Sequence, residues 1–137
     1  MGGAEGGKVV FGGDPVDGPG YFVQPTVFTG VDNGMRLARE EIFGPVAALI
    51  PFRDEDEAVR IANDTDYGLA AAVATRDVST AHRMARRLRA GVVWVNTYSE
   101  LDLTFPFGGY KQSGIGRELG EESLDNFTEL KSVFVRL

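Results

Sequence analysis

The feature that most limits the possible folds is an alternation of apolar runs with amphipathic segments after residue 44. PVAALIPF, YGLAAAVAT and GVVWVNT carry no charged residue, as is typical of strands buried on both faces of a sheet. Between them lie two segments whose apolar residues recur at helical spacing. Strand, helix and strand joined by short links predict parallel βαβ units, so the expected class is α/β.

Two helix starts and one helix end can be read from the sequence. Asp54 and Glu57 resemble a capping box, and Asp77 precedes the second helical segment. Gly91 follows that segment, where a left-handed residue often ends a helix. The residues expected on the buried faces are Ala58, Ile61 and Ala62, then Val78, Ala81, Ala85 and Leu88.

The two ends of the chain add further elements. KVVF, between glycines near the N-terminus, predicts a short strand, and Pro25 makes YFVQPTVFTG an edge or bent strand. RELGEESLDNF predicts a helix, and KSVFVRL predicts a final strand. That strand has no hairpin partner nearby, so we expect it to pair with distant chain or with another subunit.

Length and composition exclude several classes of protein. A domain of 137 residues would bury roughly two thirds of its unfolded surface. The 20 acidic residues outnumber the 14 basic ones, which argues against nucleic acid as a partner. The sequence has no cysteine and one histidine, His82, so we expect no disulfide, no thiol nucleophile and no metal site. With no membrane-length apolar run and no signal sequence, a cytoplasmic protein is expected.

The long segment after GVVWVN is the first candidate for a functional loop. Ligands of open α/β sheets bind beyond the carboxyl ends of the strands, and this segment begins at such an end. Its apolar residues either plug the core or line a hydrophobic substrate tunnel. Its glycines do not form a phosphate-binding GxGxxG turn, and they are expected to let backbone segments pass close together. The apolar residues in question are Leu101, Leu103, Phe105 and Phe107.

The stretch REEIFGPV is the second candidate. In one interpretation a helix ends, the acids Glu40 and Glu41 face water, and Phe43 enters the core. In the other, a carboxylate and an aromatic ring, limited in movement by the Gly44-Pro45 turn, bind a ligand that has a diol and a flat ring.

Four ordered motifs resemble the C-terminal part of the NAD(P)-dependent aldehyde dehydrogenases: EEIFGPV, YGLAAAV, GVVWVN and PFGGYKQSGIGRELG. The resemblance runs from KVVFGG to the last residue, and the ordered set argues against an unrelated small-ligand binder. It implies that residues 1–113 are a parallel βαβ part of the catalytic domain. Residues 114–137 would then be a C-terminal helix and a strand that joins subunits in a homo-oligomer.

The resemblance also implies roles for single residues. Glu41 would accept hydrogen bonds from the nicotinamide ribose of NAD or NADP, and Phe43 would border the nicotinamide. Leu101 and Phe107 would contact the aldehyde. Glu118 would relay protons, although an acid in the first turn of a helix is an equal interpretation. Asp102, with Glu100 nearby, either attracts a cationic amino-aldehyde such as γ-glutamyl-γ-aminobutyraldehyde or simply faces water.

Family members attack the aldehyde with a cysteine thiolate, pass hydride from the thiohemiacetal to the nicotinamide and hydrolyse the thioester. This chain has no cysteine, so the resemblance implies a C-terminal fragment that is inactive and does not bind NAD measurably by itself. Its unpaired edge is expected to cause self-association. The alternative is a non-catalytic oligomerisation or interaction module derived from the family.

Overall fold

The computed structural model of the chain describes residues 2–137. Its backbone forms two compact units, of which the first ends at Thr65 and the second runs from Asp66 to Leu137. Each unit contains its own strands and helices, so the apolar runs that looked like one series of parallel strands are divided between separate sheets.

The first unit contains a mixed three-stranded sheet. Strand β1 (Lys8–Phe11), the KVVF strand predicted from the sequence, pairs antiparallel with β2 (Thr26–Thr29). Strand β2 also pairs parallel with β3 (Val46–Ala48). The prediction of a strand through all of PVAALIPF, buried on both faces, is wrong. Because β3 has β2 as its one neighbour among the described residues, the pairing stops early and Ala47 and Ala48 stay exposed.

A 3-10 helix over Gly2–Glu5 and two α-helices accompany this sheet. Helix α1 (Arg36–Arg39) is a single turn, and α2 (Glu55–Asn63) follows β3. An Asp54 carboxylate oxygen accepts a hydrogen bond of 2.8 Å from the Glu57 amide, which confirms the predicted helix start. The reciprocal half of a capping box is absent there, because the Glu57 carboxylate accepts from the Arg53 amide instead. The buried residue of α2 is Val59, which the sequence reading did not select.

The second unit contains a parallel strand pair joined by a helix. Strand β5 (Ala70–Val73) lies parallel to β6 (Val92–Val95), and α3 (Val78–Arg87) connects them. Strand β4 (Tyr67–Gly68) precedes β5 and pairs antiparallel with β7 (Tyr110–Lys111). Asp77 caps α3 as predicted, because its carboxylate accepts from the amides of the two residues that follow Val78.

Gly91 does not end α3, and that prediction is wrong. The helix stops at Arg87, and Leu88 is its extended C-cap. A glycine is needed at position 91 for another reason: a Cβ there would lie 1.6 Å from the carbonyl oxygen of Gly108. Within the PFGGYKQSGIG loop, a Cβ on Gly108 would lie 2.6 Å from the carbonyl oxygen of Gly116, which confirms that these glycines permit close passage of backbone.

The C-terminal region differs most from its prediction. RELGEESLDNF contains a 3-10 helix over Glu121–Phe127 and no α-helix, and no strand follows it within residues 128–137. A strand there would have no neighbour to pair with among the residues that the structure describes. The large apolar side chains of this tail are all exposed: Leu130, Val133, Phe134, Val135 and Leu137.

The apolar core of the described residues is small. The buried hydrophobic residues are Val31, Leu37, Val59 and Leu88. The accessible surface is 10849 Å², whereas a folded monomer of 14.8 kDa exposes about 7,000 Å². The chain therefore buries about half of its unfolded surface, less than the two thirds expected from its length. Large apolar faces remain without a covering layer.

Two further features concern the described residues as a set. No helix among them combines the length and the apolar character that a bilayer crossing requires. They also contain no cluster of three histidine, aspartate or glutamate side chains able to hold a metal ion.

Candidate functional site

A cavity of about 510 Å³ lies in the first unit and contains both residues selected from REEIFGPV. We call it the Glu41 cavity. Segment 40–44, which joins α1 to β3, forms one side, and α2 contributes Ile61 and Ala62. Glu41 and Phe43 line it together with apolar residues such as Leu37 and Ile42. A carboxylate and an aromatic ring therefore border the same space.

The two acids of the motif differ in their partners. Glu40 forms a two-point ion pair with Arg36, with nitrogen–oxygen distances of 2.8 and 2.9 Å. The hydrogen bond from Arg36 holds the pKa of the Glu40 carboxyl below its usual value. Glu41 makes no hydrogen bond or ion pair with any residue that the structure describes. The Glu41 carboxylate is thus available to a ligand, and the Glu40 carboxylate is not.

Phe43 has an unusual backbone conformation for a large residue. Its φ is +43°, in the left-handed region, and its side chain is 94% exposed. The interpretation that Phe43 enters the core is therefore wrong for this chain. The following turn is anchored to the sheet, because the Thr26 amide donates a 2.8 Å hydrogen bond to the Pro45 carbonyl. Strained residues of this kind cluster at ligand-binding sites, where surrounding structure holds them.

The Glu41 cavity offers two features that could hold a ligand with a diol and a flat ring, such as the nicotinamide riboside that the sequence resemblance implies. An ionised carboxylate has two oxygens that can accept hydrogen bonds from both hydroxyls of a ribose. The exposed ring of Phe43 offers a flat apolar face beside it. Glu41 and Phe43 are thus the two side chains of the first unit that could hold such a ligand, and their roles remain predictions.

A second cavity, of about 730 Å³, lies in the second unit beside β6. We call it the Trp94 cavity. Leu101, Asp102 and Phe107, the three residues selected for substrate contact, all line it with Trp94 and Phe105. Leu101 is 59% exposed and Phe105 is 67% exposed, so neither plugs the core of this chain. The structure brings the three selected residues to one apolar space.

Two acids border the Trp94 cavity, and both are held by their own loop. A carboxylate oxygen of Asp102 accepts hydrogen bonds from the Thr104 amide at 2.9 Å and the Thr104 hydroxyl at 2.7 Å. Both bonds lower the pKa of Asp102, and the bond from the Thr104 amide has the larger effect. Asp102 therefore stays ionised at neutral pH. The Thr97 hydroxyl donates a 2.6 Å hydrogen bond to Glu100. An otherwise apolar cavity thus has an anionic rim.

Trp94 orders this loop, a role that the sequence reading missed. Its indole N–H donates a 2.8 Å hydrogen bond to the Glu100 carbonyl, and its ring packs on Tyr98 with 5.3 Å between centroids. Asn96 has a φ of +56°, and its side-chain amide forms two hydrogen bonds with the Thr75 backbone. The role of Asn96 could have been detected in the sequence, because an asparagine directly after a strand is one of the few residues that tolerate left-handed backbone.

Glu118 lies next to Phe107 through the backbone. The amide of each residue donates a 2.7 Å hydrogen bond to the carbonyl of the other. The 3-10 helix begins at Glu121, so Glu118 is not in its first turn. Glu118 is absent from the lining of the Trp94 cavity, and the role of its carboxylate remains a prediction.

The comparisons with known proteins agree with the motifs. The sequence model of the aldehyde dehydrogenase family matches residues 1–133, and the chain belongs to this family. It is 54% identical over 132 residues to an aldehyde dehydrogenase of Emericella nidulans, covering 96% of this chain and 27% of that protein. It is 55% identical over 133 residues to the putative aldehyde dehydrogenase DhaS of Bacillus subtilis, covering 97% and 27%.

Solved structures give the same result for the fold. The chain superposes on an indole-3-acetaldehyde dehydrogenase in complex with NAD⁺ with a TM-score of 0.93 and 52% identity. The aldehyde dehydrogenase KauB of Pseudomonas aeruginosa also gives a TM-score of 0.93, with 54% identity. In both cases the match covers 99% of this chain but only 28% of the other chain. The chain thus spans little more than a quarter of the proteins that it matches.

Proposed function

We propose that this chain supplies the nicotinamide-riboside contact and one wall of the aldehyde site of an NAD(P)-dependent aldehyde dehydrogenase, which oxidises aldehydes to carboxylic acids. The observation that carries the proposal concerns two neighbouring side chains. The Glu41 carboxylate has no partner among the described residues, and Phe43, close to it in sequence, is exposed and strained. Relatives solved with NAD⁺ support NAD as the cofactor, with NADP as the alternative.

The proposal gives each selected residue a role. Glu41 would accept hydrogen bonds from the ribose hydroxyls and Phe43 would border the nicotinamide, the group that supplies hydride-accepting chemistry when the cofactor is bound. Leu101 and Phe107 form an apolar wall for the aldehyde chain. The thiolate that attacks the aldehyde comes from outside this sequence, which contains no cysteine. We therefore expect that the 137-residue chain alone neither oxidises aldehydes nor binds NAD measurably.

A hybrid enzyme tests the Glu41 assignment. In it, residues 1–137 replace the matching 28% of KauB. Glu41→Gln weakens charge-assisted hydrogen bonds to the ribose, so the Kd for NAD should rise about tenfold. Glu40→Gln is the matched control: it alters the neighbouring acid, whose partner is Arg36, and should leave the Kd within about twofold. Equal Kd values for Glu41→Gln and the unmodified hybrid would refute the assignment.

The substrate class follows from the rim of the Trp94 cavity. Asp102 and Glu100 add negative charge at one side of an apolar wall. We propose that the complete enzyme prefers aldehydes with a cationic group, such as amino-aldehydes related to γ-glutamyl-γ-aminobutyraldehyde. The lowered pKa of Asp102 supports this preference, because the carboxylate remains charged while its hydrogen bonds fix its orientation.

The exposed C-terminal tail supports a second role, in oligomerisation. Residues 131–137 include four exposed apolar side chains and have no neighbouring strand among the described residues. We propose that this segment pairs with another subunit and that residues 114–137 form the oligomerising part beyond a catalytic portion, 1–113. Sedimentation should show self-association of the chain and less of it for residues 1–127. A monomer at high concentration would contradict this role. The expected location remains the cytoplasm.

A further inference from the structure

Segment 40–43 is connected to a one-turn helix that needs outside support. Helix α1 contains four residues, and Met35 gives it no side-chain cap. An isolated turn of this length is unstable in water, because the conformational entropy lost in forming the turn outweighs the free energy of its few hydrogen bonds. Whatever holds α1 also determines where Glu41 lies, since Glu41 is the second residue after the helix.

Arg39, the last residue of α1, supplies part of that support. Its guanidinium donates hydrogen bonds to the carbonyl of Asn33, to the carbonyl of Asp64 at 3.2 Å and to the Asp64 carboxylate at 2.9 Å. Asp64 is the C-cap of α2, where carbonyl groups have no helical partner. A cation at this end of a helix is also favoured by the helix dipole. Arg39 therefore fastens the end of α1 to the end of α2.

Asn33 binds the same helix end as Arg39. Its side-chain N–H groups donate to the Ile61 carbonyl at 2.8 Å and to the carbonyl and carboxylate of Asp64 at 3.2 Å. Asp64 thus receives Asn33 on one carboxylate oxygen and Arg39 on the other. Asn33, Asp64 and Glu41 all line the Glu41 cavity, so this network is part of its wall.

We propose that Arg39 and Asn33 are positioning residues for cofactor binding: they fasten α1 to the end of α2 and so fix the Glu41 carboxylate toward the nicotinamide riboside. This inference rests on the proposed function of Glu41. Loss of either residue should weaken NAD binding and leave the aldehyde site, which lies in the other unit, unaffected.

The chain offers a matched control on the same helix. Arg36 is also an arginine of α1, but its ion pair is with Glu40 of the same turn, and both side chains are more than half exposed. Exposed pairs at this spacing contribute little. Arg36→Gln removes the same charge as Arg39→Gln without cutting a link to α2.

The test uses the hybrid enzyme and measures steady-state kinetics together with the Kd for NAD. Arg39→Gln should raise the KM and Kd for NAD about tenfold, with the aldehyde KM within about twofold. Arg39→Lys keeps the charge but not the planar set of donors, so it should recover part of the affinity. Asn33→Ser, which removes the amide donors without adding charge, should also raise the NAD Kd. Arg36→Gln should change neither constant by more than about twofold.

The outcomes separate this inference from the proposed function. If Glu41→Gln weakens NAD binding but Arg39→Gln and Asn33→Ser do not, the positioning role is refuted and the assignment of Glu41 stands. If Glu41→Gln has no effect, the proposed function itself fails. A rise in the aldehyde KM equal to that for NAD would also refute the positioning role, because it would indicate general loss of structure. Should Arg39→Gln not fold, Asn33→Ser gives the same decision.

Hydrogen exchange on variants of the 137-residue chain by itself provides a readout that needs no cofactor. The Arg39 and Glu40 amides are bonded within α1, to the carbonyls of Met35 and Arg36. Arg39→Gln should accelerate exchange of these amides at least severalfold relative to Arg36→Gln. Equal exchange in the two variants would show that Arg39 does not hold α1 in place.

Discussion

Gly91 and Gly108 pass each other so closely that a methyl group at position 91 would lie 1.6 Å from the Gly108 carbonyl oxygen. The segment before β6 and the PFGG motif are thus packed backbone against backbone. Any side chain at position 91 must push these segments apart, and Gly91 itself lines the Trp94 cavity.

Gly91→Ala should therefore destabilise the chain by about 3 kcal/mol, the upper part of the usual range for overpacking. Urea unfolding followed by circular dichroism measures the change. Gly3→Ala is the control, because a Cβ at Gly3 meets no atom within 4 Å. Similar midpoints for the two variants would contradict the observed packing.

Phe43 gives a second prediction about stability. Alanine and glycine at this position both remove the exposed ring, but glycine alone adopts a φ of +43° without strain. Phe43→Gly should exceed Phe43→Ala in free energy of unfolding by about 1 kcal/mol. At Ile42, whose φ is not positive, the order should reverse. Both Phe43 variants should weaken NAD binding in the hybrid enzyme, which separates the role of the ring from that of the backbone.

The capping of α3 predicts a pH dependence. Asp77 accepts hydrogen bonds from the Thr80 hydroxyl, the Thr80 amide and the Ser79 amide, and these lower its pKa. The pKa of an unfolded aspartate is about 3.9, so this stabilisation is present above that pH and complete about one pH unit higher. It is lost as the pH falls through the lower folded value.

Asp77→Ala should lower the Tm at pH 7. It should also make the decrease in Tm between pH 7 and pH 3 smaller than in the unmodified chain. Thermal melts at the two pH values measure both effects. Asp17→Ala, at an exposed acid without a hydrogen bond among the described residues, should change neither. An unchanged acid dependence in Asp77→Ala would show that the cap does not contribute.

Asp102 predicts a difference between substrates in the hybrid enzyme. Asp102→Asn keeps the oxygen that accepts from Thr104 and removes the charge. The KM for 4-aminobutyraldehyde should rise about fivefold, as expected for loss of one partly screened ion pair. The KM for butyraldehyde, which has the same chain length and no charge, should stay within about twofold. Equal effects on the two aldehydes would remove the proposed substrate preference.

The sequence predicted local features well where the cause was local. Asp54 and Asp77 are capping residues because their partners lie within three positions. The availability of Glu41 was also readable in principle, since Arg36 and Glu40 have the i,i+4 spacing of a helical ion pair and leave the second acid unpaired.

Features that depend on distant chain could not be read in this way. The reason for Gly91 is Gly108, and the extent of β3 depends on how many strands lie beside it. KSVFVRL has the composition of a strand, but a strand forms only with a neighbour to pair with, and none is present among the described residues. The pairing of Arg39 with the end of α2 likewise joins two segments whose approach no local pattern indicates.

Trp94 is the single tryptophan of the chain, and it lies on the wall of the cavity assigned to the aldehyde. Its indole is also bonded to the loop that carries Leu101 and Asp102. Tryptophan fluorescence, excited selectively over that of the tyrosines, therefore comes from one known position in the chain. A shift or quenching of its emission reports both the arrival of a small molecule at that wall and the release of the loop, without any added label.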